Sequence, residues 1–251
     1  MPFQNELVII ASVFAFFGGL VAFFRLFGKL GIYAWTVICT IAANIEVMIL
    51  VHAFGMETTL GNVVFASTFL ATDMMGEFYG KKESGRCVAL GIAANVTFIA
   101  ISQSWFLYMP SASDTMSGPI RAVFANTPRV MFASLLAYAI CEAHDVWAYH
   151  LLWRLTERRT GDRRAFLWLR NNGSTLVSQL INAVAFNVLA FAGVWDAHTL
   201  LQVIVLGYAT FVATSLLDTP FLYWARRIEE RRRALAGTAA ALAAPQGGRV
   251  A

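Results

Sequence analysis

Seven apolar runs separated by short polar segments constrain this chain more than any other feature. They cover roughly residues 7–27, 32–54, 60–79, 86–109, 128–153, 171–195 and 199–225. Crossing the hydrocarbon core of a membrane takes a helix of about 20 mostly apolar residues. The chain has 251 residues, of which 58% are hydrophobic and 14% charged, with a mean hydropathy of +0.61. A soluble domain carries about 25% charged residues. The reading is an all-α polytopic transmembrane helical bundle of seven spans, forming one domain over residues 1–233. The tail 234–251 is Ala- and Gly-rich and reads as disordered. The segment 110–127, rich in Pro and Gly, reads as a longer loop, partly re-entrant as one reading.

Basic residues fix the expected orientation. All but Arg121 and Arg129 of the 19 lysines and arginines fall after the first, third, fifth and seventh runs. Cytoplasmic loops carry the excess of Lys and Arg. The N-terminus is therefore expected outside and the C-terminus in the cytoplasm. The net charge of +4 reads as topology, not as nucleic-acid binding. The first run lacks a basic leader and a small-residue cleavage site, so it reads as a membrane helix and not a removed signal. Cys39, Cys87 and Cys141 lie inside apolar runs without metal spacing, and read as small buried residues.

Ionisable groups within membrane spans are costly, and mark function or internal pairing. Six acids lie within the runs: Glu46, Asp73, Glu77, Glu142, Asp145 and Asp218. Counted from the basic cytoplasmic ends at 1.5 Å per residue, Asp73, Asp145, Gln179 and Asp218 lie roughly 12–14 Å deep. Asn44, Glu142 and Asn182 lie slightly deeper. Polar groups from several helices at one level point to an enclosed cavity, as in midplane transport sites.

Each group also has a structural reading. Glu77, one turn before Lys81, can pair with it near the cytoplasmic edge, and Asp73 can do the same. Glu142, His144, Asp145 and His150 can form an interhelical network. The two histidines share no helix face, which disfavours a metal site. Asp218 precedes Thr219 and Pro220, where it can cap a restarted helix. The sixth run is lined by Asn171, Asn172, Ser174, Thr175, Ser178, Gln179 and Asn182. These can bond neighbouring helices, or recognise a neutral heteroaromatic ligand through amide donors and acceptors. No Walker loop, Gly-x-Ser-x-Gly elbow or His-Glu-x-x-His motif occurs. An intramembrane enzyme using the acids, and a scaffold whose polar residues only join helices, stand as alternatives to transport.

Four stretches carry a family resemblance: ATDMMGEFYGKKESGR (71–86), LAYAICEAHDVWAYHLL (136–152), FLWLRNNGSTLVSQLINAVAF (166–186) and LLDTPFLYWARR (216–227). Together they resemble the queuosine precursor transporter family, earlier grouped as vitamin uptake transporters. The resemblance covers roughly 33–227. It implies a six-helix core, with the first span as an additional helix. It also implies a multi-pass protein of the bacterial cytoplasmic (inner) membrane that takes up 7-cyano-7-deazaguanine and 7-aminomethyl-7-deazaguanine, with queuine as a further candidate. The expected partners are this small molecule and membrane lipid. No cofactor, metal or catalytic residue is expected, and a homodimer or an energising partner stays open. The expected ligand residues are Asp73, Asp145, Asn172, Gln179, Asn182, Trp147, Asp218 and Asn44, of which the family motifs fall on Asp73, Asp145, Asn172, Gln179 and Asp218. Glu77, Glu142, His144, Asn171 and Ser178 are secondary. One departure is Asn182, where the family commonly has Asp, which removes an ionisable group here.

Overall fold

The computed structural model describes residues 4–46, 49–54, 56–124, 128–162, 165–194 and 196–243. Its helices are α1 (Gln4–Phe27), α2 (Lys29–Glu46), α3 (Gly61–Tyr79), α4 (Lys81–Ser104), α5 (Ser117–Phe124), α6 (Pro128–Thr160), α7 (Leu167–Phe191) and α8 (Ala197–Ala243). Four helical stretches are long and apolar enough to cross a membrane by length and composition: Gln4–Phe27, Lys81–Leu107, Leu167–Phe191 and Leu200–Ala236. The fold is all-α apart from one two-stranded hairpin.

That hairpin corrects the second span. The apolar run was expected to stay helical to residue 54, but α2 ends at Glu46. Strands β1 (Leu50–Ala53) and β2 (Met56–Thr59) follow, paired antiparallel. A short apolar run cannot be assigned to helix or strand by periodicity alone. Threonines and β-branched residues in 50–59 favour the strand. The hairpin is tied to the start of α1. The Asn5 amide donates to the His52 carbonyl at 2.9 Å, and the Phe54 N–H donates to Glu6 Oε1 at 3.0 Å.

The bundle has an apolar exterior and a polar interior. Leu7, Phe14, Ile38, Val96, Ile140, Val184, Leu201 and Val205 are exposed, while Asp73, Glu142, Asp145, Arg170, Asn171, Gln179 and Asp218 are buried. In water such a coat would be an extensive exposed apolar surface; against lipid tails it costs nothing.

Helix α3 runs through the middle, packed by α1, α2, α4, α6 and α8. Nearly every residue from Val63 to Phe78 is buried. The most extensive helix pair is α6 with α7, and its contacts run antiparallel. Cys141 meets Asn182, His144 meets Ser178, and Tyr149 meets Arg170. Small residues allow the close approaches. A Cβ at Gly91 on α4 would collide with the Tyr138 hydroxyl on α6. A Cβ at Gly76 on α3 would lie 3.2 Å from His150 Nε2.

Pro128 opens α6, where a missing N–H is tolerated. Pro220 instead lies inside α8, and removes the N–H that would reach the Leu216 carbonyl. Helix α8 continues through Ala243, so the start of the expected tail is helical. Residues 244–251 lie outside the described residues.

Candidate functional site

The polar interior is built by four helices. Helix α3 contributes Thr68, Thr72 and Asp73. From α6 come Glu142 and Asp145, and from α7 come Asn171, Asn172, Ser174, Thr175, Ser178 and Gln179. Helix α8 adds Ser215, Asp218 and Thr219, close to its proline.

Glu142 is held by α3. Thr68 donates to its Oε1 at 2.8 Å and Thr72 to its Oε2 at 3.2 Å. The two threonines are four residues apart, so both hydroxyls face α6 from successive turns. Sequence reasoning missed this pair, although its spacing beside Asp73 carried the signal. The Thr175 hydroxyl donates to Asp73 Oδ2 at 3.4 Å, which joins α3 to α7.

Asp145 differs from the other acids. It is fully buried, with Asp73, Ser174, Thr175 and Ser178 beside it. Yet no donor is aligned on either of its oxygens. Gln179 is buried too, and its Oε1 lacks a donor. A buried polar atom without a partner costs about 1–3 kcal/mol, so unpaired groups at one place call for an occupant.

On the α8 side, Asn171 Nδ2 donates to Asp218 Oδ1 at 2.7 Å and to Thr219 Oγ1 at 3.2 Å. Asn172 Nδ2 donates to Thr219 Oγ1 at 2.6 Å, and Ser215 donates to Asn172 Oδ1 at 3.3 Å. Asp218 thus bonds across to α7, in addition to its position beside the proline.

Glu77 does not serve Lys81. Its main partner is Arg170, fully buried on α7, with contacts of 2.8 and 2.7 Å from Nη2 and 3.2 Å from Nε, while Arg226 Nη1 on α8 lies 3.7 Å from Oε1. Tyr149 donates to the same carboxylate at 2.9 Å. The Arg170 guanidinium also lies 4.6 Å from the centre of the Trp153 ring. A strong planar bidentate pairing displaced the local one. In the sequence Arg170 is only one of the basic residues near the ends of the apolar runs.

Three further residues fall elsewhere than expected. Asn44 is bonded to Asn95 and accepts from Ser134 at 3.2 Å, in a separate network of α2, α4 and α6. Trp147 is 50% exposed with its ring against His144, so it stands outside the buried layer. Tyr138, fully buried one turn from Glu142 on α6, lies nearer that layer. Asn182 lies at the edge, accepting weakly from Cys141 at 3.8 Å. His144 bonds Ser178 at 2.9 Å.

Comparison with known proteins places this architecture. A family model described as "Putative vitamin uptake transporter" matches residues 59–225. The "Probable queuosine precursor transporter" of Bacillus subtilis (strain 168) is 35% identical over 226 residues, which is 90% of this chain and 96% of that protein. The "Queuosine precursor transporter" of Escherichia coli (strain K12) is 28% identical over 151 residues, 60% of this chain and 62% of that protein. No solved structure matches the chain. The chain belongs to the queuosine precursor transporter family, a family of membrane transporters and not of enzymes.

Proposed function

We propose that this chain carries queuosine precursors, 7-deazaguanine bases, inward across a bacterial cytoplasmic membrane. The observation that carries the reading is the unpaired, fully buried Asp145 carboxylate, with the unpaired Gln179 Oε1 one helical turn from Thr175 on α7, enclosed by a lipid-compatible bundle. The names of the two relatives supply the ligand class. A guanine-like edge offers N1–H and an exocyclic amine, a donor pair that one carboxylate accepts in bidentate fashion. The exocyclic carbonyl oxygen of the base needs a donor of its own. Asp73, held by Thr175, stands next to Asp145. The flat ring needs an apolar or aromatic wall.

In this reading the seven long helices span the membrane, with the N-terminus outside. The arginines at the ends of α6 and α8 then face the cytoplasm. The Glu77–Arg170 pair then lies on the cytoplasmic side of Asp73 and ties α3 to α7.

The test is uptake of radiolabelled 7-cyano-7-deazaguanine and 7-aminomethyl-7-deazaguanine by cells that cannot synthesise either. Expression of the chain should produce label in the cell and queuosine in tRNA. Cells that gain neither overturn the function. Asp145→Asn and Gln179→Ala should each lower uptake at sub-saturating label by about tenfold or more, at unchanged membrane abundance. Full uptake by both variants would move the site elsewhere and leave the function standing.

A further inference from the structure

The unpaired atoms of the buried layer have a chemical bias. Both hydrogens of the Asn171 amide are engaged, one by Asp218 and one by Thr219. The carboxamide is therefore turned so that Oδ1 is its free end, and that oxygen is buried without a donor. Gln179 Oε1 and both Asp145 oxygens are in the same condition. Four acceptor oxygens on α6 and α7 thus lack donors. The other unpaired atoms lie elsewhere on α6: His150 Nε2 and Trp153 Nε1 further along it, beside Gly76 and Arg170, and the Tyr138 hydroxyl against Gly91 of α4.

Charge points the same way. Asp73 lies within electrostatic reach of Asp145, Asp218 and Glu142, and Asp145 within reach of Asp218. Among the described residues, no lysine or arginine pairs with any of the four. The nearest buried cation, Arg170, is committed to Glu77, Tyr149 and the Ala165 carbonyl. Acidic groups held in a low-dielectric interior without a cation gain from one that arrives with the ligand.

We propose that the buried layer formed by Asp145, Gln179 and the Asn171–Asp218 pair selects a cationic, amine-bearing deazaguanine over its neutral nitrile counterpart. This rests on the function proposed above and specifies the ligand within it. The two bases share one ring and differ at one substituent. The aminomethyl group carries a positive charge and three N–H donors. The nitrile carries only an acceptor, which cannot satisfy an acceptor. Asp145 sits across from Ser174, Thr175 and Ser178. Asn171 therefore lies roughly 4–10 Å from it along α7, at 1.5 Å per residue. A purine-sized ligand bridges that distance, with its pyrimidine edge on Asp145 and its ammonium at Asn171 Oδ1 and Asp218. Asp218 is then both a counter-charge and the residue that orients Asn171.

Isothermal titration of the detergent-purified chain with three bases tests this: 7-aminomethyl-, 7-hydroxymethyl- and 7-cyano-7-deazaguanine. The amine should bind about tenfold or more tightly than the nitrile, since charge-assisted hydrogen bonds are about twice as strong as neutral ones. The hydroxymethyl base, a donor without charge, should fall between them. In Asp218→Asn the ratio of amine to nitrile affinity should shrink toward one. Nitrile binding as tight as that of the amine overturns the selectivity and leaves the transport reading intact. Binding of none of the three overturns the transport reading, and the selectivity with it.

Discussion

Arg170 and Glu77 are 93 residues apart in sequence, yet form a buried, two-pronged ion pair between α7 and α3. Removing one partner of such a pair leaves an uncompensated buried charge and costs about 3–5 kcal/mol. Glu77→Ala and Arg170→Ala should each lower the thermal stability of the purified protein sharply. The double variant Glu77→Gln, Arg170→Met should lose much less than the two single losses combined. Additive losses would mean that the two residues act independently.

Asp145 and Trp147 are neighbours in sequence with opposite environments. Asp145→Asn should raise the substrate concentration needed for half-maximal uptake by about 10- to 100-fold, the equivalent of losing a charged hydrogen bond of about 1.5–3 kcal/mol. Trp147→Phe should leave uptake within about twofold, because an exposed side chain changed to a smaller aromatic has little to lose. Dose-dependent uptake in the same cells compares the two. A large effect at Trp147 would place the ligand on the outer face of α6.

Gly91 permits Tyr138 to approach α4. Gly91→Ala forces the Tyr138 hydroxyl aside, and overpacking of this kind costs about 1–3 kcal/mol. Adding Tyr138→Phe should recover part of that loss, because it removes the atom that clashes. Thermal melting of the single and double variants in one detergent reads both effects. Absence of recovery would locate the strain in the backbone.

Arg129 caps the C-terminal end of α7. Its Nε donates to the Leu189 carbonyl at 2.8 Å and its Nη2 to the Ala192 carbonyl at 2.7 Å. The last carbonyls of a helix need such partners. Arg129→Ala should cost about 1–2 kcal/mol and speed hydrogen exchange over residues 186–192. Unchanged exchange there would show that water replaces the arginine without loss.

The sequence made some features legible and concealed others, for physical reasons. Apolar length alone placed α1, α3, α4, α6, α7 and α8, because lipid demands long uninterrupted helices. It overran α2, where strand and helix share the same short apolar signature. Depth along the chain put Asp73, Asp145, Gln179 and Asp218 at one level, since rise per residue is fixed. Depth does not give azimuth, so Asn44 was grouped with a layer it does not join, and Trp147 was turned inward. The partner of Glu77 was beyond reach as well. Local spacing favours Lys81, and only the fold brings Arg170 to the same place.

The family-matched segment begins at residue 59, which leaves α1 outside it. Even so, Phe17, Leu20, Val21 and Phe24 of that helix are buried among Met74, Met75, Phe78 and Leu222. Phe24 stacks on Phe78 at 5.2 Å. The Arg25 carbonyl is bonded by Arg232 of α8 at 2.8 Å. A chain trimmed to the shared segment would therefore have no outer wall along α3. Lipid tails would touch the central helix one turn from Asp73, and the polar interior would lose the seal that separates it from the bilayer.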